Sequence, residues 1–343
     1  MKKKIFSALK KNNFVRRVYS HFVKRLPFLE NMLSLYRYSN WLRNYKSTIS
    51  NQEVFFNVFD ELNRETIKSG LGDEEVSKPI LIMTTYNDHD IIESIIRENA
   101  KLGYEQIIID NWSSDGTWPL IEKLKLEIDS ILDIQQYPFD GPTNDYQWKA
   151  MLDLKSKIAL NYKGRWILHQ DSDEITISPF LNRDIGQVLH AVKKMGYNVV
   201  PLRMLDFTPI DNTFTIGNPV SHFEYYRLSQ IISYGLQNKV WLQGDSEVDL
   251  SGMGGHDVNF LGKKVFPIRL PRFHYSIRSI DHAQSKYSPK RLERSASERE
   301  TLGWHTHVEV KLTEKIIYEK QELIKYDFNE LYSSRFNWFI YND

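Results

Sequence analysis

The sequence contains no cysteine, which removes disulfides, thiolate nucleophiles, cysteine-ligated zinc and iron–sulfur clusters together. Any metal must then be held by carboxylates or imidazoles. No apolar run approaches the roughly 18 residues that a membrane-spanning helix needs; the longest, Lys78 to Thr85 and Gln106 to Ile109, fall far short. No sign of charge dominates either. Lys and Arg number 45 against 44 Asp and Glu, a formal net charge of +1, so the total gives no support to nucleic-acid binding. The N-terminus is charged but lacks a continuous apolar stretch and a small-residue cleavage site, so no secretory signal is read and the expected location is cytoplasmic.

What is present is an ordinary globular composition over 343 residues, 41% hydrophobic, 26% charged and 13% aromatic. That length suits two domains or one large α/β domain with extensions. The charge is unevenly spread: residues 1–30 carry nine basic side chains against one acid, Glu30. Within them Ile5, Leu9, Phe14, Val18, Phe22 and Leu26 recur at helical spacing with Lys and Arg on the flanks. A basic amphipathic helix of this kind suits an anionic membrane surface at the inner face of the cell membrane, or packing on the main domain. The helical pattern continues from Met32 to about Lys68 and stops at Gly70 and Gly72, which sets off residues 1–72 as a helical extension.

From Lys78 the pattern changes. Pro79 to Thr85 is a short apolar, β-branched run of the kind a buried parallel strand requires. The turn Tyr86 to Asp90, a helix over Ile91 to Leu102 stopped by Gly103, and a second strand, Gln106 to Asp110, complete a βαβ unit. The spacing then predicts a polar turn to Thr117, a helix to Ile128, a strand near Ile131 to Tyr137, a helix from about Asp145 to Leu160, and a strand Gly164 to His169. Such alternation gives a doubly wound parallel sheet, whose ligands bind outside the carboxyl ends of the strands. That rule selects three turns rich in Asp, Asn and Ser: Tyr86 to Asp90, Asp110 to Thr117, and Asp171 to Glu174. Asp171 and Asp173, two residues apart across a bend, suit one hard divalent cation, Mg²⁺ or Mn²⁺. Such an ion would bridge the oxygens of a diphosphate.

Thr85-Tyr-Asn-Asp88, Ile109-Asp-Asn-Trp-Ser-Ser-Asp-Gly-Thr117 and Trp166-Ile-Leu-His-Gln-Asp-Ser-Asp-Glu174 resemble, in order and spacing, family 2 glycosyltransferases of the GT-A fold. Gly-Gly-His-Asp257 and Arg272-Phe-His-Tyr-Ser-Ile-Arg-Ser279 resemble the distal motifs of a bacterial, surface-polysaccharide branch. The resemblance covers about residues 78–310. It implies a Rossmann-like, mostly parallel sheet flanked by helices, with a nucleotide-sugar half over 78–180, an acceptor half over 181–310 and C-terminal helices over 311–343. By the same resemblance, Thr85, Asn87, Asp88 and Asp115 belong to the nucleotide pocket and Asp110 or Asn111 is the base contact. Asp171, Asp173 and His274 form the metal and diphosphate site, and Arg278 or Lys286 meets the phosphates.

The implied activity is a metal-dependent hexosyl or related transfer from a nucleotide diphospho-sugar to a glycan or lipid-linked acceptor in cell-surface polysaccharide synthesis. An inverting mechanism needs a carboxylate to take the acceptor's proton, and Asp245, Glu247, Asp249 and Asp257 are the candidates. Glu174 is expected beside the metal, and His305 and His307 are weaker candidates for covering the donor. Two alternatives stay open. One is a metal phosphoesterase using Asp171, Asp173, His169, His256, Asp257, His274 and His305; the other is a silent, membrane-associated scaffold.

Overall fold

The computed structural model describes residues 52–71, 76–181, 183–228, 237–289, 293–294, 296–302, 304 and 315–329. Helix α1 (Gln52–Leu71) precedes an alternation of β1 (Ile80–Thr85), α2 (Ile92–Lys101), β2 (Glu105–Asp110), α3 (Thr117–Glu127), β3 (Ile131–Gln136), α4 (Trp148–Ala159) and β4 (Trp166–Asp171). These are the elements the sequence pattern predicts. The chain continues through β5 (Glu174–Thr176), α5 (Ile185–Lys194), β6 (Val199–Phe207), α6 (Pro219–His222), β7 (Tyr225–Leu228) and β8 (Gln237–Leu242). It ends with β9 (Leu270–His274), α7 (Ile280–Lys286), α8 (Ala296–Leu302) and β10 (Ile324–Lys325).

Physical burial explains why the first half was so readable. Every residue of β1 is buried, with Ile80 and Ile82 against Trp148, Met151 and Leu152 of α4, and Leu81 and Met83 in the cluster that holds Ile92, Ile95 and Ile96 of α2. A strand covered by helices on both faces has no polar side, so its sequence is a continuous apolar run. The three α2 isoleucines, at helical spacing and almost without exposure, each contribute about 1.5–3 kcal/mol of burial.

The strands form one sheet in the order β10-β7-β6-β8-β4-β1-β2-β3, with β9 pairing both β5 and β6. The half from β4 to β3 is wholly parallel. Beyond β4, the pairings β4–β8, β8–β6, β6–β7 and β7–β10 are antiparallel, while β9 runs parallel to β6. The result is the expected Rossmann-like α/β sheet flanked by helices. From β1 the chain steps outward through β2 to β3, and then returns through α4 to β4 on the other side of β1. This reversal opens a crevice at the carboxyl ends of β1 and β4.

Parts of both extensions pack on this sheet domain. Helix α1 lies on α5 and buries Phe59 and Leu62 in the main core. Of the C-terminal segment, residues 315–329 supply a 3₁₀ turn (Lys320–Glu322) and β10, which adds to the edge of β7. The basic stretch 1–30, His305, His307 and residues 330–343 lie outside the described residues. Among the described residues, no helix is long and apolar enough to cross a membrane.

Candidate active site

The crevice is built on Thr84 and Thr85, whose side chains leave β1 toward opposite faces. Thr84 Oγ1 donates to Asp171 Oδ1 at 3.0 Å, across the β1–β4 pairing. Thr85 Oγ1 donates to Asp88 Oδ2 at 3.4 Å. Beyond them the first two Asp-rich turns are stitched together. Asn87, in the left-handed region at φ 57°, donates its N–H to Ser113 Oγ at 2.9 Å and accepts from Ser114 N at 2.8 Å. Asp88 N donates to Thr117 Oγ1 at 3.0 Å, and His89 N to Asp115 Oδ2 at 3.1 Å. Asp115 also accepts from Thr117 N at the start of α3. Asn87 and Asp115 therefore shape the pocket wall through hydrogen bonds within it.

Asp110 is fully buried at the end of β2. It accepts from Ser113 N at 2.9 Å, Gln136 Nε2 at 3.1 Å and the Ser113 hydroxyl, yet burial outweighs these bonds and pushes its carboxyl above the usual range. Asn111 donates to Tyr137 O at 2.9 Å and accepts from Arg294 Nη2 at 2.8 Å. Arg294 in turn lies 4.1 Å from the centroid of the Tyr86 ring. Tyr86, Asn111 and Arg294 thus form one polar and aromatic wall, in which Arg294 has no sequence signal because it sits 183 residues from Asn111.

The third turn joins the other two. Ser172 Oγ donates to Asp88 Oδ2 at 2.5 Å, and Asp88 also accepts from Arg278 Nη2 at 3.0 Å. Arg278 is fully buried and its guanidinium is engaged by Asp88, Asp90 and Tyr275 O. Its charge is spent inside the protein, holding the turns in place. The two carboxylates of Asp171-Ser-Asp173 have different partners: Asp171 meets Thr84, while Asp173 Oδ2 accepts from Lys286 Nζ at 2.9 Å.

Asp173 also faces His274. His274 Nε2 lies 3.8 Å from Asp173 Oδ1, and its Nδ1 bonds Asp206 Oδ1 at 2.7 Å. A carboxylate on the far nitrogen fixes an imidazole's orientation, the arrangement seen behind metal-bound histidines. Burial opposes the charge on Asp173, but Lys286, His274 and Arg278 outweigh it and hold the carboxyl well below the usual range. Asp173 and His274 fit a hard divalent cation as two donors, although among the described residues no three His, Asp or Glu side chains form a metal-ligand set. The seven-residue set of the phosphoesterase reading is accordingly not assembled among those of its members that are described.

Beneath the crevice lies a buried charged layer of which sequence reasoning singled out only Glu174 and His169. Glu174 Oε2 accepts from Arg272 Nη1 at 2.8 Å and from Asp171 N at 3.1 Å, and Lys239 Nζ is 3.4 Å from Oε1. Burial opposes its charge, yet Arg272 and Lys239 hold its carboxyl down to about 2. Lys155, without exposure, reaches from α4 to Thr84 Oγ1 at 3.1 Å, His169 Nδ1 at 2.8 Å and Gln170 O at 3.1 Å. Burial pulls its ammonium down to about 7, although Asp171 pulls the other way. A signal for Lys155 did exist: it falls in the apolar stripe Trp148, Met151, Leu152, Lys155, Ala159 of an amphipathic helix.

The candidate bases divide by strand direction. Strand β8 runs antiparallel to β4, with Leu242 beside Trp166, so Asp245 and Glu247 emerge at the amino end of β4, opposite the crevice. Both are exposed, and Asp245 pairs with Lys163. The Asp249 carboxylate caps a local turn, accepting from Gly252 N at 2.8 Å and Ser251 Oγ at 3.1 Å. Asp257 accepts from Asn238 Nδ2 at 2.8 Å and pairs with Lys263. It bridges to the start of β8, at the carboxyl end of β4.

No protein-family model matches the sequence, and no curated protein matches it. Among solved structures, the chain is similar to a mannosyltransferase from Pyrobaculum calidifontis in complex with GDP-Man and Mn²⁺, at 15% identity and a TM-score of 0.26 over 43% of this chain. The aligned part spans under half, 44%, of that neighbour's chain.

Proposed function

We propose that the protein is a glycosyltransferase that takes a nucleotide diphospho-sugar as donor and passes its sugar to a glycan or lipid-linked acceptor. The observation that carries this reading is the joining of three Asp-rich turns at the sheet's switch point through Asp88, which bonds Thr85, Thr117, Ser172 and Arg278. A crevice walled by Asp110, Asn111 and Tyr86 at one end and by Asp173, Lys286 and His274 at the other suits a ligand with a nucleoside at one end and phosphates at the other.

In this reading Asp110 or Asn111 receives the base, while Thr85, Asn87, Asp88 and Asp115 keep the pocket's shape. Arg278 acts through Asp88 and Asp90, and Lys286 meets the diphosphate. Mn²⁺ or Mg²⁺ would be held by Asp173 and His274, with its remaining ligands from the diphosphate and water. When bound, such an ion neutralises the charge that grows on a departing nucleoside diphosphate. Asp206 keeps the His274 ring turned toward Asp173, and the Lys155–Thr84 contact holds Asp171 at the end of β4. Of the four candidate bases, Asp257 lies on the crevice side of the sheet and is the preferred one. The basic sequence of residues 1–30 supports work beside an anionic inner membrane face, as surface-polysaccharide synthesis requires.

Release of nucleoside diphosphate from UDP-, GDP- and dTDP-sugars, and of nucleoside monophosphate from CMP-sugars, tests the proposal, each with Mn²⁺ and with chelator. Metal-stimulated release of nucleoside diphosphate from one donor supports it, and release from CMP-sugars alone contradicts the diphosphate donor. Release of inorganic phosphate alone favours a phosphoesterase, and tight binding of anionic vesicles without turnover favours a scaffold.

A further inference from the structure

At the nucleoside end of the crevice, the two side chains that the sequence marks for the base are turned inward. Asp110 has no exposed surface, and its carboxylate is filled by Ser113 N, the Ser113 hydroxyl and Gln136 Nε2. Asn111 is 3% exposed, with its amide donating to Tyr137 O and its carbonyl oxygen accepting from Arg294. Both side chains therefore work inside the wall. Tyr86 and Arg294 are half-buried, so a ligand meets the ring and the guanidinium.

Arg294 is held in place from several directions. Its carbonyl accepts from Tyr146 N at 2.5 Å, just ahead of α4, and Glu298 of α8 accepts from Lys149 N at 2.8 Å in the first turn of α4. Its Nη2 donates to Asn111 Oδ1 at 2.8 Å, and the guanidinium carbon lies 4.1 Å from the Tyr86 centroid. Asn111 is fixed in turn by its N–H on the carbonyl of Thr85, at 2.9 Å.

A guanidinium carries five N–H donors in a planar fork and no acceptor. One donor is used on Asn111, and among the described residues Nε and Nη1 meet no acceptor. Whichever hydrogen of Nη2 Asn111 takes, one edge keeps two parallel donors, set in direction by the Tyr86 ring. Such an edge pairs with two adjacent acceptors and not with a donor beside an acceptor. Guanine offers the pair in O6 and N7, and cytosine in O2 and N3. Adenine sets an amino group beside N7, and uracil and thymine set an N–H between their carbonyls.

We propose that Arg294 reads the base of the nucleotide, and that this base has two adjacent hydrogen-bond acceptors on one edge, as guanine and cytosine do. Asn111 then acts by orienting Arg294, and Asp110 by holding the turn at Ser113. The assignment rests on the transferase reading for placing a nucleoside at this wall.

The test is isothermal titration calorimetry of the full chain with GDP, CDP, UDP and ADP in the presence of Mn²⁺. GDP or CDP should bind about tenfold tighter than UDP and ADP, the scale of one bidentate base contact, and the tighter of the two names the base. If it is GDP, 7-deaza-GDP, which lacks the N7 acceptor, should fall toward UDP. Arg294→Met and Arg294→Lys should both bring the four nucleotides level, because lysine keeps the charge and loses the fork. The melting temperature of the unliganded protein should stay unchanged in both. Tightest binding of UDP or ADP, or a preference that survives Arg294→Met, would overturn the proposal. Equal loss of all four in Arg294→Met with recovery in Arg294→Lys would overturn it too, by making Arg294 a phosphate contact. Turnover of a nucleotide sugar with no base preference at Arg294 would leave the transferase reading standing and remove this one. An Arg294-dependent base preference in a protein that turns over no nucleotide sugar would do the reverse, and no binding of any nucleotide would defeat both.

Discussion

Arg278 binds both oxygens of Asp90, at 2.6 Å through Nε and 2.8 Å through Nη2, across 188 residues of chain. It also reaches Asp88 from the same buried position. One guanidinium thereby ties the segment after β9 to the first turn of the sheet. Arg278→Met leaves two carboxylates without their counter-charge, a change that costs about 3–5 kcal/mol where one member of a buried pair is removed. Chemical denaturation should show that loss in the midpoint with an unaltered slope.

Asp173 is the carboxylate that Lys286 bonds and that the His274 ring faces. Asp173→Asn keeps the side chain's shape and its capacity to accept from Lys286, but removes the charge. Donor turnover should fall by about a hundredfold or more, the scale of losing one group that stabilises developing charge, with an unchanged far-UV circular dichroism spectrum. Turnover within twofold of the parent would remove Asp173 from the site.

Lys155 makes stability depend on alkaline pH. Its folded-state value of about 7 lies below the ordinary 10.5, so between these two values the unfolded chain binds the extra proton and folding gains as pH rises. The gain begins above about 7 and is complete above about 10.5. Relative to Lys155→Met, the parent protein should therefore become progressively more stable from pH 7 to pH 10, as read by urea midpoints. A constant difference over that range would place the lysine's proton elsewhere.

Gly255 sits at φ +87°, where an added Cβ would lie 2.9 Å from His169 Nε2 and 3.0 Å from Leu152 Cδ2. Gly103 has the same φ with open space around it. Gly103→Ala should cost only backbone strain, about 1 kcal/mol, whereas Gly255→Ala should cost about 1–3 kcal/mol more. Equal losses for the two substitutions would show that the loop over α4 yields freely.

The parallel half was legible because its physics is local. Strands β1, β2 and β4 are covered on both faces, so Ile80 to Met83, Ile107 to Ile109 and Ile167 to Leu168 stand out as apolar runs, and the polar turns that follow mark the crevice. The remainder depended on contacts distant in sequence. Glu174, expected beside the metal, follows Asp173 and lies opposite His274 in the β5–β9 pairing; what the sequence could not show is Arg272, 98 residues away, which holds its carboxylate. Asp245 and Glu247 looked like bases in an acidic loop. The antiparallel course of β8, invisible in a run such as Gln237 to Leu242, carries them to the wrong end of the sheet. Asp206 gave no signal at all, because its meaning comes from the register that sets it beside His274.

The most direct measurement is the melting temperature of the full chain against a panel of UDP-, GDP-, CMP- and dTDP-sugars, with and without Mn²⁺, since a ligand of the native state stabilises by mass action. The account predicts a rise with one nucleotide diphospho-sugar that is enlarged by Mn²⁺ and abolished in Asp173→Asn. No rise with any donor, with or without the metal, would contradict it.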